Sequence, residues 1–352
     1  MKSALFITCS LSLLSIIWTP ASACTSYFHA PSGIMVKSYD WKDGAGLLAY
    51  HPAGRSRIAF RGRDPGTPHS WRARYASLSF DQYGVGFSNG GINEAGLAVE
   101  VLWLKETEHP TPDHRPYLNE LEWVRYHLET AATVKALVQS ARAVRVSSIH
   151  GKVHYFACDQ GGDCAALEYL NGALKVHRGA ELPVPALTNH SYQASLDFIS
   201  GFQSFGGSKA WLSDQKRGSL PRFLQAARAT QHQASLDMDG ALRQLGRVQV
   251  HGYTKWQNSY ALRARQVSLK QAGITGQRSV GLESLIALNP ACEQQLVYRL
   301  EEEVVGDLSG AFRSIGAEEN RKRLRARFAQ LELPLQIADQ LAAHKPSCGV
   351  TP

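Results

Sequence analysis

Cys24 has the clearest chemical potential of any residue in the sequence because of what precedes it. Residues 1–23 have the three parts of a secretory signal peptide: a positively charged start, a short apolar run and a final Ala-Ser-Ala. Cleavage after Ala23 would leave a thiol and a free α-amine on the same residue. The amine, with an ordinary pKa of about 7.7–8.0, can take the proton from the thiol near neutral pH. We therefore expect Cys24 to be an N-terminal nucleophile in a secreted or periplasmic protein.

The same cleavage site allows a second interpretation, in which Cys24 carries lipid. An Ala-x-Ala-Cys ending resembles the bacterial lipobox, which prefers Leu or another large aliphatic residue three positions before the cysteine. That position is Ala21 here, which argues against a lipobox. The alternative to a catalytic role is a lipid-anchored, non-catalytic envelope protein that uses its fold as a binding module.

The remaining cysteines favour a free thiol at position 24. The chain has six cysteines, and one of them leaves with the signal peptide. Cys158 and Cys164 flank Asp-Gln-Gly-Gly-Asp, a sequence typical of a hairpin turn, and Cys292 and Cys348 form a second candidate pair. This pairing leaves Cys24 as the odd cysteine, and an odd cysteine in an exported chain is a candidate reactive thiol.

Composition and charge narrow the classes of function. Outside the signal peptide, no apolar run approaches the roughly 18 residues that a membrane span requires. The net charge is +8, but no helix-turn-helix, RNA-binding or zinc-finger pattern accompanies it, so we do not expect nucleic acid as a partner. The spacings between the histidines are not typical of a metal site, and we expect no metal or cofactor. A basic surface can favour anionic ligands, such as acyl compounds with a carboxylate, but a generally positive solvated surface is the favoured interpretation.

The first predicted hairpin returns the chain to Cys24. Sequence patterns predict strands over residues 25–29 and 34–39, joined by an Ala-Pro-Ser-Gly turn. The second strand then ends beside the N-terminus, where the carboxylate of Asp40 can hold the α-amine and the thiol in register. Turn chemistry is the competing explanation for an Asp at a strand end. Asn189, in a loop, also has two interpretations, since its amide can serve the turn or donate to a developing oxyanion.

The rest of the chain is predicted to place sheets against helices. One strand is expected over residues 71–80, and helical spacing of apolar residues follows over 117–142. The order is β-rich, then helical, then β-rich again, which indicates sheets with helices on their outer faces. From about residue 257 the pattern fades, apart from two predicted helices over 317–331 and 335–344.

A second nucleophile motif surrounds Ser88. Residues 86–90, Gly-Phe-Ser-Asn-Gly, match the G-x-S-x-G pattern of serine hydrolases. That pattern requires a strand before the serine and a helix directly after it, because this geometry exposes the hydroxyl. Here a glycine-rich turn and another strand are predicted to follow. We therefore interpret the match as coincidental, and a serine hydrolase is the least favoured function.

Six short motifs occur in an order that is itself informative. They are Cys24-Thr25, Lys37-Ser38-Tyr39-Asp40-Trp41, Gly91-Ile-Asn-Glu-Ala-Gly-Leu97, Leu187-Thr188-Asn189, Pro221-Arg222-Phe223 and Thr254-Lys255-Trp256. In this order they resemble the choloylglycine hydrolase family, whose members include bile salt hydrolases and penicillin V acylases. The resemblance covers residues 24–256, and the tryptophans at positions 41 and 103 are similar to the Gram-negative penicillin V acylase branch.

The resemblance implies a fold and an activity. The fold is α+β: an αββα sandwich of the N-terminal-nucleophile hydrolase type, with two mostly antiparallel sheets between helical layers in one domain over residues 24–352. The activity is hydrolysis of a linear carbon–nitrogen amide bond in an acylated small molecule, without a cofactor. Penicillin V, N-acyl homoserine lactones and conjugated bile acids all remain open as substrates, and a homotetramer is expected.

The resemblance also implies roles for individual residues. Cys24 would attack the amide carbonyl, and Asn189 would stabilise the oxyanion. Asp40 would orient the amine and the thiol, while Arg222 and Lys37 would hold this network and favour the thiolate. Three aromatic residues would line an apolar acyl pocket: Trp41, Trp103 and Phe87.

Two positions depart from the family pattern. Lys37 stands where the family has Arg, which keeps the charge but loses the planar fork that can hold two partners. His190-Ser191 follows Asn189, where the family usually continues with Ser-Pro or Asn-Pro. The first departure implies a changed activity or substrate choice.

Overall fold

The computed structural model describes residues 24–62, 64–149, 151–211, 218–289, 294–330, 332–343 and 347–348. The α-helices in these ranges are α1 Glu122–Thr130, α2 Val134–Ala143, α3 Tyr192–Ile199, α4 Ser219–Thr230, α5 Met238–Leu245, α6 Leu282–Leu288, α7 Ala317–Gln330 and α8 Leu335–Ala343. The strands are β1 Thr25–His29, β2 Ile34–Asp40, β3 Leu47–His51, β4 Arg55–Ile58, β5 Ser70–Arg72, β6 Ser77–Asp81, β7 Ser88–Asn93, β8 Ala98–Trp103, β9 Tyr117–Leu118, β10 Arg145–Val146, β11 Val153–Cys158, β12 Cys164–Leu170, β13 Ala173–Arg178, β14 Ala186–Leu187, β15 Thr254–Ala261, β16 Gln266–Gln271, β17 Ile274–Gly281, β18 Leu296–Arg299, β19 Gly306–Asp307, β20 Arg313–Ser314 and β21 Ser347–Cys348.

Two large sheets form the centre of the fold. The smaller has the strand order β14-β1-β2-β15-β16-β17-β19, and the larger has the order β13-β12-β11-β8-β7-β6-β3-β18-β20. Neighbouring strands in both sheets run antiparallel, except β17 and β19, which are parallel. Short pairings complete the set, with β9 beside β10 and β4 between β21 and β5.

The buried residues of β8 show how the layers are arranged. Its side chains alternate between two faces, as they must in a strand. Ala98 and Leu102 belong to the core that lies between the two sheets. Val99 and Val101 belong to a second core, which the larger sheet shares with helices such as α1.

Helices cover both sheets on their outer faces. Helix α4 packs on β1 and α5 packs on β2 and β15, whereas α1 packs on β7 and β8. The order of layers is therefore helix, sheet, sheet, helix. The expected αββα sandwich of the N-terminal-nucleophile type is confirmed.

Two predicted elements differ in the structure. Residues 71–80 form two strands, β5 and β6, because the chain turns between them, where the N–H groups of Arg74 and Tyr75 donate to the carbonyl of Glu129. Residues 117–118 are not helical but form β9, which pairs with β10.

Helix α1 begins only at Glu122, and the side chains at its start explain why. The Asn119 carboxamide accepts the N–H of Glu122, and the Glu122 carboxylate accepts the N–H of Asn119. These reciprocal bonds satisfy the first free amides of the helix in the manner of a capping box.

The region after residue 257 completes both sheets. Strands β15, β16 and β17 extend the smaller sheet, and β18 and β20 extend the larger one. These strands were not predicted from the sequence, because strands such as β17 expose most of their first half and lack an apolar pattern. The two predicted C-terminal helices are present as α7 and α8, which pack against each other.

Cysteine pairing agrees with the prediction where the structure describes it. Cys158 and Cys164 form a disulfide between paired residues of β11 and β12. Cys292 lies outside the described residues, so its pairing with Cys348 stays a prediction. Among the described residues, no helix is long and apolar enough to cross a membrane.

Candidate active site

Cys24 immediately precedes β1 and faces the space between the sheets. Its thiol is free and buried, with 5% of the residue exposed. The pairing of Thr25 with Ser38 brings the end of β2 alongside. As a result the thiol lies 3.9 Å from the carbonyl oxygen of Asp40, to which it donates. The predicted proximity of Asp40 to Cys24 is therefore present.

The Asp40 carboxylate is fully buried and held by hydroxyl groups. Its Oδ1 accepts hydrogen bonds from Ser38 (2.9 Å) and from Thr254. A β-bulge in β15, between Thr254 and Trp256, sets the strand register so that Thr254 lies opposite Asp40. Among the described residues, Oδ2 has no hydrogen-bond partner. Burial raises the pKa of Asp40, and the charge of Arg222 and the bond from Thr254 oppose that rise.

Arg222 connects Cys24 to Asn189. Its Nη1 donates to the Cys24 carbonyl and to the Thr25 hydroxyl, both at 2.7 Å, and its Nη2 donates to Asn189 Oδ1 at 3.0 Å. Helix α4 carries this side chain against β1. Burial lowers the pKa of Arg222, and Asp40 offsets that effect. The planar fork thus fixes three groups at once.

Asn189 lies beside Cys24 because of strand register. In β14, Leu187 pairs with Ser26, so continuing the antiparallel register by two residues puts Asn189 opposite Cys24. Its Nδ2 donates to the carbonyl of Trp103 at 2.8 Å. A carboxamide has two N–H donors, so the second remains available for another acceptor.

Lys37 has a different immediate partner from the one expected. Its ammonium group donates to Glu100 at 2.8 Å and to the Val101 carbonyl at 2.6 Å, and both charged side chains are almost fully buried. Glu100 also accepts hydrogen bonds from Asn258 and Tyr260. Lys37 therefore joins the two sheets through an ion pair and acts on Cys24 only through its charge.

The environment of the Cys24 thiol contains opposing influences. Burial raises the pKa of the thiol above its ordinary value. The charges of Lys37 and Arg222 lower it, whereas the charge of Asp40 raises it. Two nearby cations thus favour the thiolate against the cost of burial, as cations do at reactive cysteines.

An apolar cavity of about 80 Å³ opens next to Cys24. All three aromatic residues expected for an acyl pocket line it, namely Trp41, Trp103 and Phe87. The rings of Trp41 and Trp103 are tilted against each other with centroids 5.9 Å apart. The cavity has the composition that suits an apolar acyl group beside the thiol.

Comparison with known proteins agrees with this geometry. No family model matches the chain. A curated relative, penicillin V acylase from Pectobacterium atrosepticum, is 29% identical over 225 residues, which make up 57% of this chain. The match spans 58% of the length of that relative.

Two solved structures are also similar. Penicillin V acylase from Agrobacterium tumefaciens has a TM-score of 0.69 and 21% identity, covering 84% of this chain and 98% of the other. A conjugated bile acid hydrolase from Clostridium perfringens has a TM-score of 0.63 and 12% identity, covering 81% and 98%. These two likenesses show that the chain shares the fold of those hydrolases, as the resemblance to the choloylglycine hydrolase family predicts.

A buried pair that was not predicted from the sequence supports the segment around Asn189. His154 Nδ1 contacts Glu168 at 2.9 Å, and His154 Nε2 contacts the carbonyl of Thr188 at 2.6 Å. Glu168 also accepts the N–H of Tyr192, at the start of α3. The pair therefore fixes the segment that carries Asn189. A Glu inside an otherwise apolar strand was the available signal, and it also applied to Glu100.

Ser88 is buried within β7 and is followed by strand, not by a helix. Its hydroxyl donates to Asp81 at 3.0 Å and contacts Ser79. The exposed strand-to-helix turn of a serine nucleophile is therefore not formed here. Among the described residues, no group of side chains is arranged to hold a metal ion.

Proposed function

We propose that the chain, cleaved after Ala23, is a cysteine N-terminal-nucleophile hydrolase that cleaves the linear amide bond of an acylated small molecule. The observation that carries this proposal is the position of Cys24. Its free thiol lies at the start of β1, beside an apolar cavity, and Arg222 links its carbonyl to Asn189. The names of the relatives support the same class of reaction.

The proposed reaction begins with transfer of the thiol proton to the α-amine of Cys24. The thiolate attacks the amide carbonyl, and the oxyanion accepts the free N–H of Asn189 together with a backbone N–H. The tetrahedral intermediate collapses as the leaving amine takes the proton from the α-amine, and a thioester remains. Water, deprotonated by the same α-amine, then attacks the thioester and releases the carboxylic acid and the thiol.

The other site residues would prepare this reaction without bonding to the substrate. Asp40 would orient the new α-amine and the thiol, because one of its buried oxygens still lacks a hydrogen-bond partner among the described residues. Arg222 and Lys37 would favour the thiolate through their charges. The aromatic cavity would hold the acyl group, as penicillin V, an N-acyl homoserine lactone or a conjugated bile acid requires.

The proposal extends to the location and assembly of the protein, which the sequence pattern before Cys24 and the family resemblance predict. We propose that residues 1–23 direct export, that residues 24–352 fold as one domain, and that the mature protein is secreted or periplasmic and forms a homotetramer. The alternative function, a lipid-anchored envelope binding protein, uses the same cleavage site but blocks the amine and the thiol of Cys24.

The intact mass of the mature protein from its native envelope separates these two functions. We expect a mass that begins at unmodified Cys24, which leaves both catalytic groups free. A mass increased by a diacylglyceryl group and an N-acyl chain would instead establish the anchored binding protein, and the enzyme would be abandoned.

Two substitutions then test which nucleophile acts. Cys24→Ser is expected to abolish amide hydrolysis of penicillin V, an acyl homoserine lactone and a bile salt conjugate, while the folded state is retained. Ser88→Ala is the matched control and is expected to leave turnover intact. Loss of turnover in Ser88→Ala with retention in Cys24→Ser would reverse the assignment.

A further inference from the structure

A second and larger cavity lies on the other side of the wall of the acyl pocket. Its volume is about 660 Å³. Gly86 lines this cavity, while the next residue, Phe87, lines the acyl pocket. The start of helix α1 also borders both cavities. Glu122 and Arg125 line the larger cavity, and Leu121, just before the helix, lines the acyl pocket.

Three arginines with low exposure line the larger cavity. Arg55 and Arg57 come from β4, and Arg125 comes from α1. Arg57 uses its Nε to contact both oxygens of Glu129, at 2.7 and 2.8 Å. Its Nη2 has no hydrogen-bond partner among the described residues, although only 4% of the side chain is exposed. The Nε and Nη2 groups of Arg125 are also buried, and among the residues that the structure describes they have no hydrogen-bond partner.

The neighbouring carboxylates leave these guanidinium donors without hydrogen bonds. Glu129 pairs with Arg57 through Nε and also accepts Trp71. Both oxygens of Glu122 accept backbone N–H groups. Asp81 accepts serine hydroxyls and the Gly86 N–H. It forms an ion pair with Arg125 Nη2 at 3.9 Å, a separation longer than a hydrogen bond.

The crowded cations also influence each other. Burial and the adjacent Arg57 lower the pKa of Arg55 to about 10. Burial, with the charges of these arginines, holds the pKa of the nearby His51 well below its usual range. A buried donor without an acceptor destabilises the folded protein, and a charged donor does so more strongly. An anion that supplied acceptor oxygens here would therefore be bound favourably.

Apolar residues line the cavity beside polar ones such as Gln295 and Asn320. Ala59 and Phe60 flank the arginines, and Val85, Ile315 and Leu341 form the opposite side. A small inorganic ion would leave these surfaces without contacts. A carboxylate with an aliphatic or aromatic body would use both the guanidinium donors and the apolar walls.

We infer that this cavity is a second binding site, which takes an organic carboxylate. The carboxylate oxygens accept hydrogen bonds from Arg57 and Arg125, and the apolar body lies against Phe60 and Leu341. This site is separate from the acyl pocket, and its existence does not depend on the proposed hydrolase activity.

Calorimetric titration of the purified mature chain with hexanoate tests the site, at constant ionic strength near pH 7. We expect saturable binding that is tighter than that of acetate or inorganic phosphate. Arg125→Gln removes two donors and is expected to weaken hexanoate binding at least tenfold. Arg142→Gln, an exposed arginine on α2, is the matched control and should bind as the wild type does.

Further variants keep the test decisive. If Arg125→Gln does not fold, Ser314→Trp, at an exposed position on the cavity wall, is expected to obstruct the cavity and weaken binding. Hexanoate binding that survives Arg125→Gln but is lost in Trp103→Ala would belong to the acyl pocket and overturn the inference. Equal or tighter binding of phosphate, or no saturable binding of hexanoate, would overturn it as well.

Discussion

The Arg222 side chain connects residues from separate sequence motifs in one candidate site. Its guanidinium holds the backbone of Cys24 and the side chain of Asn189 at the same time. Each hydrogen bond alone stabilises the site only modestly. Because the guanidinium is planar and rigid, Arg222 loses little conformational freedom when it makes several of them. Arg222 therefore sets the position of the proposed oxyanion donor, Asn189, relative to the thiol, and it need not contact the substrate to do so.

At the residue scale, Asn189→Ala tests the proposed oxyanion role. Loss of one oxyanion donor typically costs about 10²–10³ in kcat, and we expect a loss of that size. The variant also removes the Oδ1 acceptor of the buried Arg222 Nη2, so we expect Tm to fall as well. Steady-state kinetics and a melting curve check both points. Gln193→Ala, an exposed amide nearby, serves as the control. Turnover of Asn189→Ala within threefold of the wild type would exclude the role.

The buried ion pair of Lys37 and Glu100 gives a second residue-scale prediction. Lys37→Met leaves the Glu100 charge buried and uncompensated, which is expected to lower the free energy of unfolding by about 3–5 kcal/mol. Adding Glu100→Leu removes that charge and should restore most of the loss. Urea unfolding of the two single variants and the double variant measures the coupling. The prediction would be contradicted if the loss of unfolding free energy in the double variant equalled the sum of the losses in the two single variants.

The ion pair of Lys37 and Glu100 restricts which residue can occupy position 90. Gly90 lies opposite Glu100 in the β7–β8 pairing, and a Cβ there would lie 2.2 Å from the carboxylate. Any side chain at position 90 would therefore displace Glu100 from Lys37. The last glycine of the G-x-S-x-G match is thus explained by close packing and not by serine catalysis.

At the scale of elements, the sequence predicts local structure well and long-range partners poorly. The hairpin of β1 and β2 was predictable because alternation and turn chemistry are local properties. Asp40 was predictable for the same reason, since it ends β2. Glu100 was not predicted as the partner of Lys37, because their contact depends on how two sheets stack.

Glu168 connects several elements and gives a prediction about pH. Burial alone would raise its pKa, but hydrogen bonds from His154 and His177 outweigh burial and lower the pKa to about 2. In the unfolded chain the ordinary value is about 4.3. The stabilisation from ionised Glu168 is therefore fully present above the unfolded value and is lost as pH falls through about 2.

The expected result is a pH-dependent difference between the wild type and Glu168→Gln. Above about pH 5 the wild type should be more stable by about 3 kcal/mol, and the difference should shrink between pH 4 and pH 2. Urea unfolding at a series of pH values measures it. Glu181→Gln, at an exposed position, should show no such trend. A difference for Glu168→Gln that stays constant down to pH 2 would refute this account.

At the scale of the whole molecule, residues from distant parts of the chain line the proposed acyl pocket. Cys24 lies on one side of the cavity, and Phe328 of α7 and Leu333 lie on another. The helical spacing of α7 and α8 predicted that these helices exist, but it contained no information about the surface that they cover. That surface includes Phe87, whose ring meets Phe328 edge-on with centroids 5.7 Å apart.

This arrangement predicts that Phe328→Ala changes substrate binding as well as stability. Truncation of a buried Phe typically costs about 3–5 kcal/mol, and here it would also open the wall behind Phe87. We expect KM for acyl amides to rise severalfold, with a smaller change in kcat, because the reacting groups around Cys24 are not touched. Steady-state kinetics on a series of acyl chain lengths, with urea unfolding, gives both quantities.

Phe312→Ala separates the two effects. Phe312 is buried in the core between the sheets and does not line the acyl pocket. Its truncation should lower the free energy of unfolding by a similar amount and leave KM unchanged. If both variants raise KM equally, the effect is general loosening of the fold. If only Phe328→Ala raises it, the C-terminal helices shape the acyl pocket, and differences in this late segment would then alter which acyl chains are accepted.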